Sequence, residues 1–419
     1  MFKKTTLKNG LRVVLAPIPS SKSATVSFYV KAGSRHETLE NHGIAHFLEH
    51  MAFKGSEKYK TSLEIAEIVE GFGGAMNAAT GQEYIEYYIR AESSNLPTVI
   101  DMLNQLVFHP TLPIEEIEKE KGVIVEEINM YEDLPNYKVA DLHDELLWPK
   151  HALGRNIAGT KHSVKSFTQD TFLAYHSSFF TLPNIVVCIS GHFDEPEVLS
   201  LLEDTITFTK TDQPKALEPV GEGRGEHLKV HHKKSEQTHL RLGFRSISRS
   251  DPRRYAQTLL SMVMGSGFSS KLFKKIREEL GLAYYIYSDT QLFADTGSFV
   301  ISAGLNNEKV LQGVKGIMDV VTDVLTNGIE ERDFERAKRH IKGLMAISLE
   351  DQERLNDYYG KQELLLEEIS TYEDFVSKID AVTVGESVEL ARFLFTQDNL
   401  YTAAVGEVAT EALRETTKL

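Results

Sequence analysis

Two histidines four residues apart, His46 and His50, with Glu49 between them, are the residues of this sequence best spaced to do chemistry. On a helix, that spacing puts both imidazoles on one face about one turn apart. Neutral imidazoles so placed are natural zinc ligands. Glu49 can reach the open position beside the ion and take a proton from a water whose pKa the metal lowers to about 7. A catalytic zinc usually wants a third protein ligand. The stretch IEEIEKEKGVIVEEINMYED (114–133) offers candidates. Glu120 and Glu127 are seven apart and share a helix face to within roughly 20°, whereas Glu126 points away. Ile117, Ile124 and Ile128 mark the adjoining buried side. Two carboxylates beside a core stripe are expensive unless a cation receives them. Spacing alone leaves both open as the ligand.

The elements that must hold these residues follow from periodicity. Residues 40–53 read as the helix carrying the histidines, and 62–72 as a helix stopped by Gly73-Gly74. Residues 11–17 and 24–31 read as strands, 77–91 as a β-rich run, and 93–107 and 114–131 as helices. The second half repeats the plan: strand 237–244, helices 253–264 and 269–280, strands 283–289 and 297–304, and long helices 307–327 and 330–348.

An internal repeat supports that plan. FFTLPNIVVCISGHF (179–193) matches LFTQDNLYTAAVGEV (394–408) at an offset of 215, with Asn184 over Asn399 and Gly191 over Gly406. TSLEIAEIVEGFGGA (61–75) matches SSKLFKKIREELGLA (269–283) at an offset of 208. The expected fold is α+β: two homologous αβ domains, each a mixed, mainly antiparallel sheet with helices on one face. Their bounds are 1–208 for the metal-binding domain, 209–228 for a Pro-, Gly- and charge-rich linker, and 229–419 for its homologue. In the second copy the region under His46–His50 falls within 253–265, which holds no histidine, so only the first domain is expected to bind metal.

Composition narrows the chemistry further. The 419 residues are 41% hydrophobic and 26% charged, the mix of a soluble globular chain of two domains. A net charge of −15 argues against nucleic acid as the main partner and is compatible with neutral or cationic peptides. No run approaches the roughly 18–20 apolar residues of a membrane span. MFKKTTLKNGLRVVLAP has no apolar signal core, and Cys188, the one cysteine, sits in a strand-like IVVCIS, so a reducing cytoplasm is expected. GSGFSS (265–270) lacks the Lys-Ser/Thr pair of a phosphate loop and reads as a turn.

The order His46-Phe47-Leu48-Glu49-His50 inverts the familiar His-Glu-x-x-His motif. With its context, HGIAHFLEHMAFKGS (42–56), GGAMNAAT (73–80), EKGVIVEEINMYEDLP (120–135) and LGRNIAGT (153–160), the chain resembles the pitrilysin/insulysin superfamily of zinc peptidases along essentially its whole length. It looks closest to the half-length branch that includes the β-subunit of mitochondrial processing peptidase. In that family a ligand glutamate follows the motif at a characteristic interval, and the stretch 51–126 between His50 and Glu127 has that length. The resemblance implies one zinc per chain on His46, His50 and Glu127, with Glu49 as base and Glu120 as an accessory carboxylate. GSGFSSKLFKKIREELGLAYYIYS (265–288) resembles the family segment whose Arg and Tyr, here Arg277 and Tyr284, hold substrate carbonyls and the developing oxyanion. One departure is the replacement of a usual Thr in the strand after NAAT, here QEYIEYY.

The resulting expectation is a zinc endopeptidase acting on short or unfolded peptides within an enclosed chamber. Substrate would add as a strand near Gly74, Asn77 and Ala78. Family chambers close four such domains, so this two-domain chain is expected to form a homodimer, or a heterodimer with a homologous subunit. The alternative is a non-catalytic, peptide-holding subunit of a heteromeric complex, and retention of all three ligands and the base argues against it.

Overall fold

The computed structural model describes residues 2–213, 216–221 and 225–419. Its strands are β1 Lys3–Thr6, β2 Arg12–Pro17, β3 Ser23–Val30, β4 Ala75–Thr80, β5 Ile85–Glu92, β6 Ile185–Gly191, β7 Leu228–His232, β8 Gln237–Ser246, β9 Ala283–Leu292, β10 Gly297–Asn306 and β11 Leu400–Gly406. Its helices are α1 Ile44–Ala52, α2 Ser62–Gly71, α3 Leu96–Phe108, α4 Ile114–Asp133, α5 Pro135–Leu147, α6 Lys161–Ser166, α7 Gln169–Phe179, α8 Glu195–Thr205, α9 Arg254–Gly265, α10 Val310–Asn327, α11 Glu331–Ser348, α12 Gln352–Leu366, α13 Tyr372–Ala381, α14 Val384–Leu394 and α15 Thr410–Thr416. The segment Phe273–Glu279 is π-helical.

Two sheets form, in the orders β1-β2-β6-β3-β5-β4 and β7-β11-β8-β10-β9. Each is antiparallel except for one parallel pair, β2 with β6 and β11 with β7. The chain divides into two compact units. The first is Met1–Ile128, Asn156–Glu218 and Ala346–Thr371; the second is Asn129–Arg155, Pro219–Met345 and Tyr372–Leu419. The units are therefore not contiguous halves. Helix α12 packs on β6 and β3 of the first sheet, and α5 packs on β11 and β8 of the second.

That exchange changes the layer picture. The sequence predicts helices on one face, and each sheet is covered on both. In the first unit Val13, Leu15, Val26 and Phe28 face the main core, while Val14, Ala16, Tyr29 and Cys188 face Tyr359 and Leu364 of α12. The central strand β6 is buried at all seven positions, which is why it reads as an unbroken apolar run without alternation. Asn356 pins α12 by donating from Nδ2 to the carbonyls of Thr25 (3.0 Å) and Cys188 (3.1 Å). Cys188 is a packed thiol, pushed well up by burial.

The repeat extends to side-chain roles. β6 and β11 start and end at the same offset as the sequence match, and so do α7 and α14. Both helices open on a capping box, Thr168 with Thr171 and Thr383 with Glu386. Asn184 donates to the carbonyls of Lys31 and Phe179, and Asn399 to those of Arg245 and Leu394. Among the described residues, no helix is long and apolar enough to cross a membrane.

Candidate metal centre

The metal motif lies on α1, within the first unit. Ile44, Ala45, Phe47, Leu48, Met51 and Ala52 bury one side of this helix, which leaves His46, Glu49 and His50 on the other. The carboxylate of Glu37 caps the helix start, accepting from the amides of Gly43 (2.8 Å) and Ala45 (2.9 Å). Gly43 has φ +95°, and a Cβ there would sit 2.7 Å from the Ala158 carbonyl oxygen, so only glycine lets α1 start in this place.

Helix α4 brings the third group. His46 Nε2 lies 3.8 Å from Glu127 Oε1, and His50 Nε2 lies 3.7 Å from Glu127 Oε2. One donor atom from each of the three residues falls within 4.8 Å of the others. Ligand bonds of about 2.1 Å in a tetrahedral set place donor atoms roughly 3.4 Å apart, so small side-chain rotations fit one ion. The donor set, two imidazoles and a carboxylate, suits zinc and leaves a position open. Glu126, by contrast, is exposed.

A supporting shell holds the ligands. His50 Nδ1–H donates to Glu120 Oε1 (2.9 Å), which fixes the tautomer with a lone pair on Nε2. Lys54 Nζ lies 2.6 Å from Glu120 Oε2. Burial would raise the nearly inaccessible Glu120 carboxyl, but the hydrogen bonds from His50 and Lys54 hold it below its ordinary range. The His50 imidazole is driven down by burial, yet the Glu120 hydrogen bond and the charges of Glu49, Glu120 and Glu127 push it up overall. Burial, with His50 beside it, lowers His46 to about 4, so it is neutral and ready to ligate at pH 7.

Glu49 is positioned differently. Thr80 donates its hydroxyl to Glu49 Oε2 (2.5 Å), and its backbone also bonds the carboxylate. Burial lifts the Glu49 carboxyl, against the pull of the Thr80 bond, in the direction that suits a base. Thr80 ends β4, the edge strand of the first sheet. Along β4 the side chains alternate between exposed and half-buried, with Asn77 exposed and Ala78 half-buried. Gly74 lies just before the strand, and a Cβ there would meet the Phe72 ring. The unpaired edge of this strand thus runs up to the base.

Arg277 and Tyr284 lie in the second unit. The β9–β10 register shifts between Gly304 and Leu305, whose partners are Tyr285 and Ala283, so Tyr284 stands in a bulge. The bulge turns its ring outward to 72% exposure. Arg277, at the end of the π-helical segment, donates to the Tyr284 carbonyl (2.6 Å) and braces the bulge. The structure therefore brings together His46, His50, Glu127, Glu49 and Glu120 and pairs Arg277 with Tyr284. Sequence reasoning missed Lys54 and Thr80. Lys54 sits one helical step of four after His50, and Thr80 closes the GGAMNAAT stretch, but neither spacing shows an acceptor.

Comparisons with known proteins bear on the family and the fold. Residues 12–161 match the family model described as insulinase (peptidase family M16), and residues 166–341 match the peptidase M16 inactive domain. A Bacillus subtilis protein named an uncharacterized zinc protease is 34% identical over 95% of this chain and 97% of its own. A Streptomyces coelicolor protein of the same description is 33% identical over 93% and 86%. Among solved structures, a protease from Helicobacter pylori superposes with a TM-score of 0.90 at 22% identity, covering 97% of this chain and 99% of that one. An M16-like peptidase from Alicyclobacillus acidocaldarius gives 0.86 at 24%, covering 97% and 98%. At those identities the two structures speak for the fold.

Proposed function

The chain belongs to the insulinase family of peptidases, family M16, and from that membership we propose that it is a zinc endopeptidase cutting short or unfolded peptides. The observation that carries the reading is the convergence of His46, His50 and Glu127 beside a carboxylate, Glu49, that is held but not consumed by its neighbours. Zinc bound there would supply Lewis acidity, easing deprotonation of water and polarising a carbonyl. His46, His50 and Glu127 would hold the ion, the histidines through Nε2, with His50 oriented by Glu120, which Lys54 in turn pairs. Glu49 takes the proton of the attacking water on its carboxylate and delivers it to the leaving amine. A peptide pairing with the β4 edge gains backbone hydrogen bonds with little sequence demand. Tyr284 is assigned to the developing oxyanion and Arg277 to substrate carbonyls. The expected assembly is a homodimer enclosing a chamber, in the cytoplasm, with one zinc per chain.

Glu49→Gln tests the central step. It should keep zinc at one per chain and lower kcat on an unstructured basic peptide by about 10²-fold or more. Turnover near the unsubstituted rate would remove Glu49 from the mechanism.

A further inference from the structure

The second unit holds a cavity of about 600 Å³ whose lining residues, apart from Tyr284, have no part in the metal chemistry above. Tyr137 of α5 forms one wall, and β8, β9 and β10 form the floor. On β8, His239 and Arg241 face the cavity, while Leu240 and Leu242 alternate into the core. The pairing register sets the floor in two rows. Gly304 of β10 lies between His239 and Tyr285, and Ser302 lies between Arg241 and Tyr287. Tyr284 stands at the edge.

Two adjacent donors in this cavity lack acceptors. The half-buried Arg241 guanidinium makes no hydrogen bond or ion pair among the described residues. Ser302 is 3% exposed, and its hydroxyl is buried with no partner. Asp289, one row along opposite Val300, is a carboxylate that the Arg241 charge reaches: burial lifts it and Arg241 draws it down, but no bond or ion pair joins the two. The His239 ring is tied through Nδ1 to the Tyr285 hydroxyl (2.8 Å), and burial lowers its pKa, so Arg241 is the cation of the pocket. Half-burying a guanidinium beside an unsatisfied hydroxyl is unfavourable unless something brings an acceptor. The missing partner must accept from a planar fork and a hydroxyl and must tolerate phenol rings around it. A carboxylate does this, taking a bidentate bond from arginine.

Resting on the peptidase reading above, we propose that this pocket anchors a carboxylate of the peptide substrate, carried by an acidic side chain or by the free C-terminus. In a chain of net charge −15, a local guanidinium is what would let such a carboxylate approach. The anchor gives a preference beyond the loose backbone pairing of an edge strand.

The test measures binding, so it does not depend on turnover. Four fluorescent unstructured peptides, otherwise basic and neutral, carry one Glu or its Gln twin, each with a free or an amidated C-terminus. Their affinities are compared on the full chain in a Glu49→Gln background, with Arg241 intact and as Arg241→Gln, Arg241→Lys and Ser302→Ala. Arg241→Gln should weaken binding of carboxylate-bearing peptides roughly 10- to 100-fold and leave the carboxylate-free peptide unchanged. Arg241→Lys and Ser302→Ala should give smaller losses confined to the same peptides. The arm that responds, Glu or free terminus, identifies the source. Equal weakening of all four peptides, no change in any, or no binding to the Arg241-intact chain overturns the proposal. Absence of hydrolysis by the unsubstituted protein would instead count against the peptidase reading and leave this comparison intact.

Discussion

Glu126 and Glu127 are neighbours with the same chemistry, and the helix separates them by about 100°. Glu127 stands within 3.8 Å of both histidines, while Glu126 is exposed. Glu127→Gln should therefore weaken zinc affinity by about 100-fold or more in chelator competition, and Glu126→Gln should leave it within a few-fold. Equal affinities in the two variants would take Glu127 out of the site. This discrimination was legible in the sequence because α-helical spacing converts directly into direction. Lys54 and Thr80 were not legible. Each works through a partner on another element, Glu120 of α4 for Lys54 and Glu49 of α1 for Thr80. Those approaches are set by tertiary packing, which residue spacing along one element does not carry.

At the scale of elements, periodicity placed the strands and helices that flank the site, and it failed where neighbours decide. By composition, 228–232 reads as the end of a linker and the start of the next domain. It instead forms β7, which exists by parallel pairing with β11, the last strand of the chain. The exchange of α5 and α12 between units was likewise unreadable, since a helix pattern shows that a face is buried but not against which sheet. Packing also decides titration here. His176 on α7 stacks on Phe180 (4.3 Å) and donates from Nε2 to the Val107 carbonyl (2.8 Å). Burial holds it at about 4. The unfolded imidazole titrates near 6.5, so between these values only the unfolded chain takes up the proton. Stability from this group is full above about pH 6.5 and is lost as pH falls toward 4. By pH 5 the loss amounts to about 2 kcal/mol. His36, also lowered to about 4 by burial, acts in the same direction. Denaturant unfolding at pH 7 and pH 5 should show a pH-dependent loss that shrinks by about that amount in His176→Gln. The same pH dependence in both proteins would show that His176 is already protonated in the fold.

For the whole molecule, the repeat preserves scaffold and drops chemistry. Helix α4 starts at Ile114 and α11 at Glu331, and with the two starts aligned the counterparts of Ile117 and Ile124 are Phe334 and Ile341. In the same alignment, Glu120 and Glu127 correspond to Ala337 and Leu344. Helix α9, in the place of α1, carries neither histidine nor carboxylate. One chain thus offers one metal-ligand set among its described residues, on unit one, while the bulged Tyr284 and the carboxylate pocket lie on unit two. A peptide that pairs with the β4 edge must present free backbone amides and carbonyls, which a folded domain has already used. The chamber reading sharpens this into a statement about size and state. Sedimentation should give twice the chain mass with two zinc ions per particle. Flexible peptides should be cut, and a stable folded protein of the same sequence composition should be spared until it is denatured. A strict monomer that digests the folded substrate would sink the chamber while leaving the zinc ligands in place. An inactive, zinc-loaded monomer would show that a different subunit completes the enzyme.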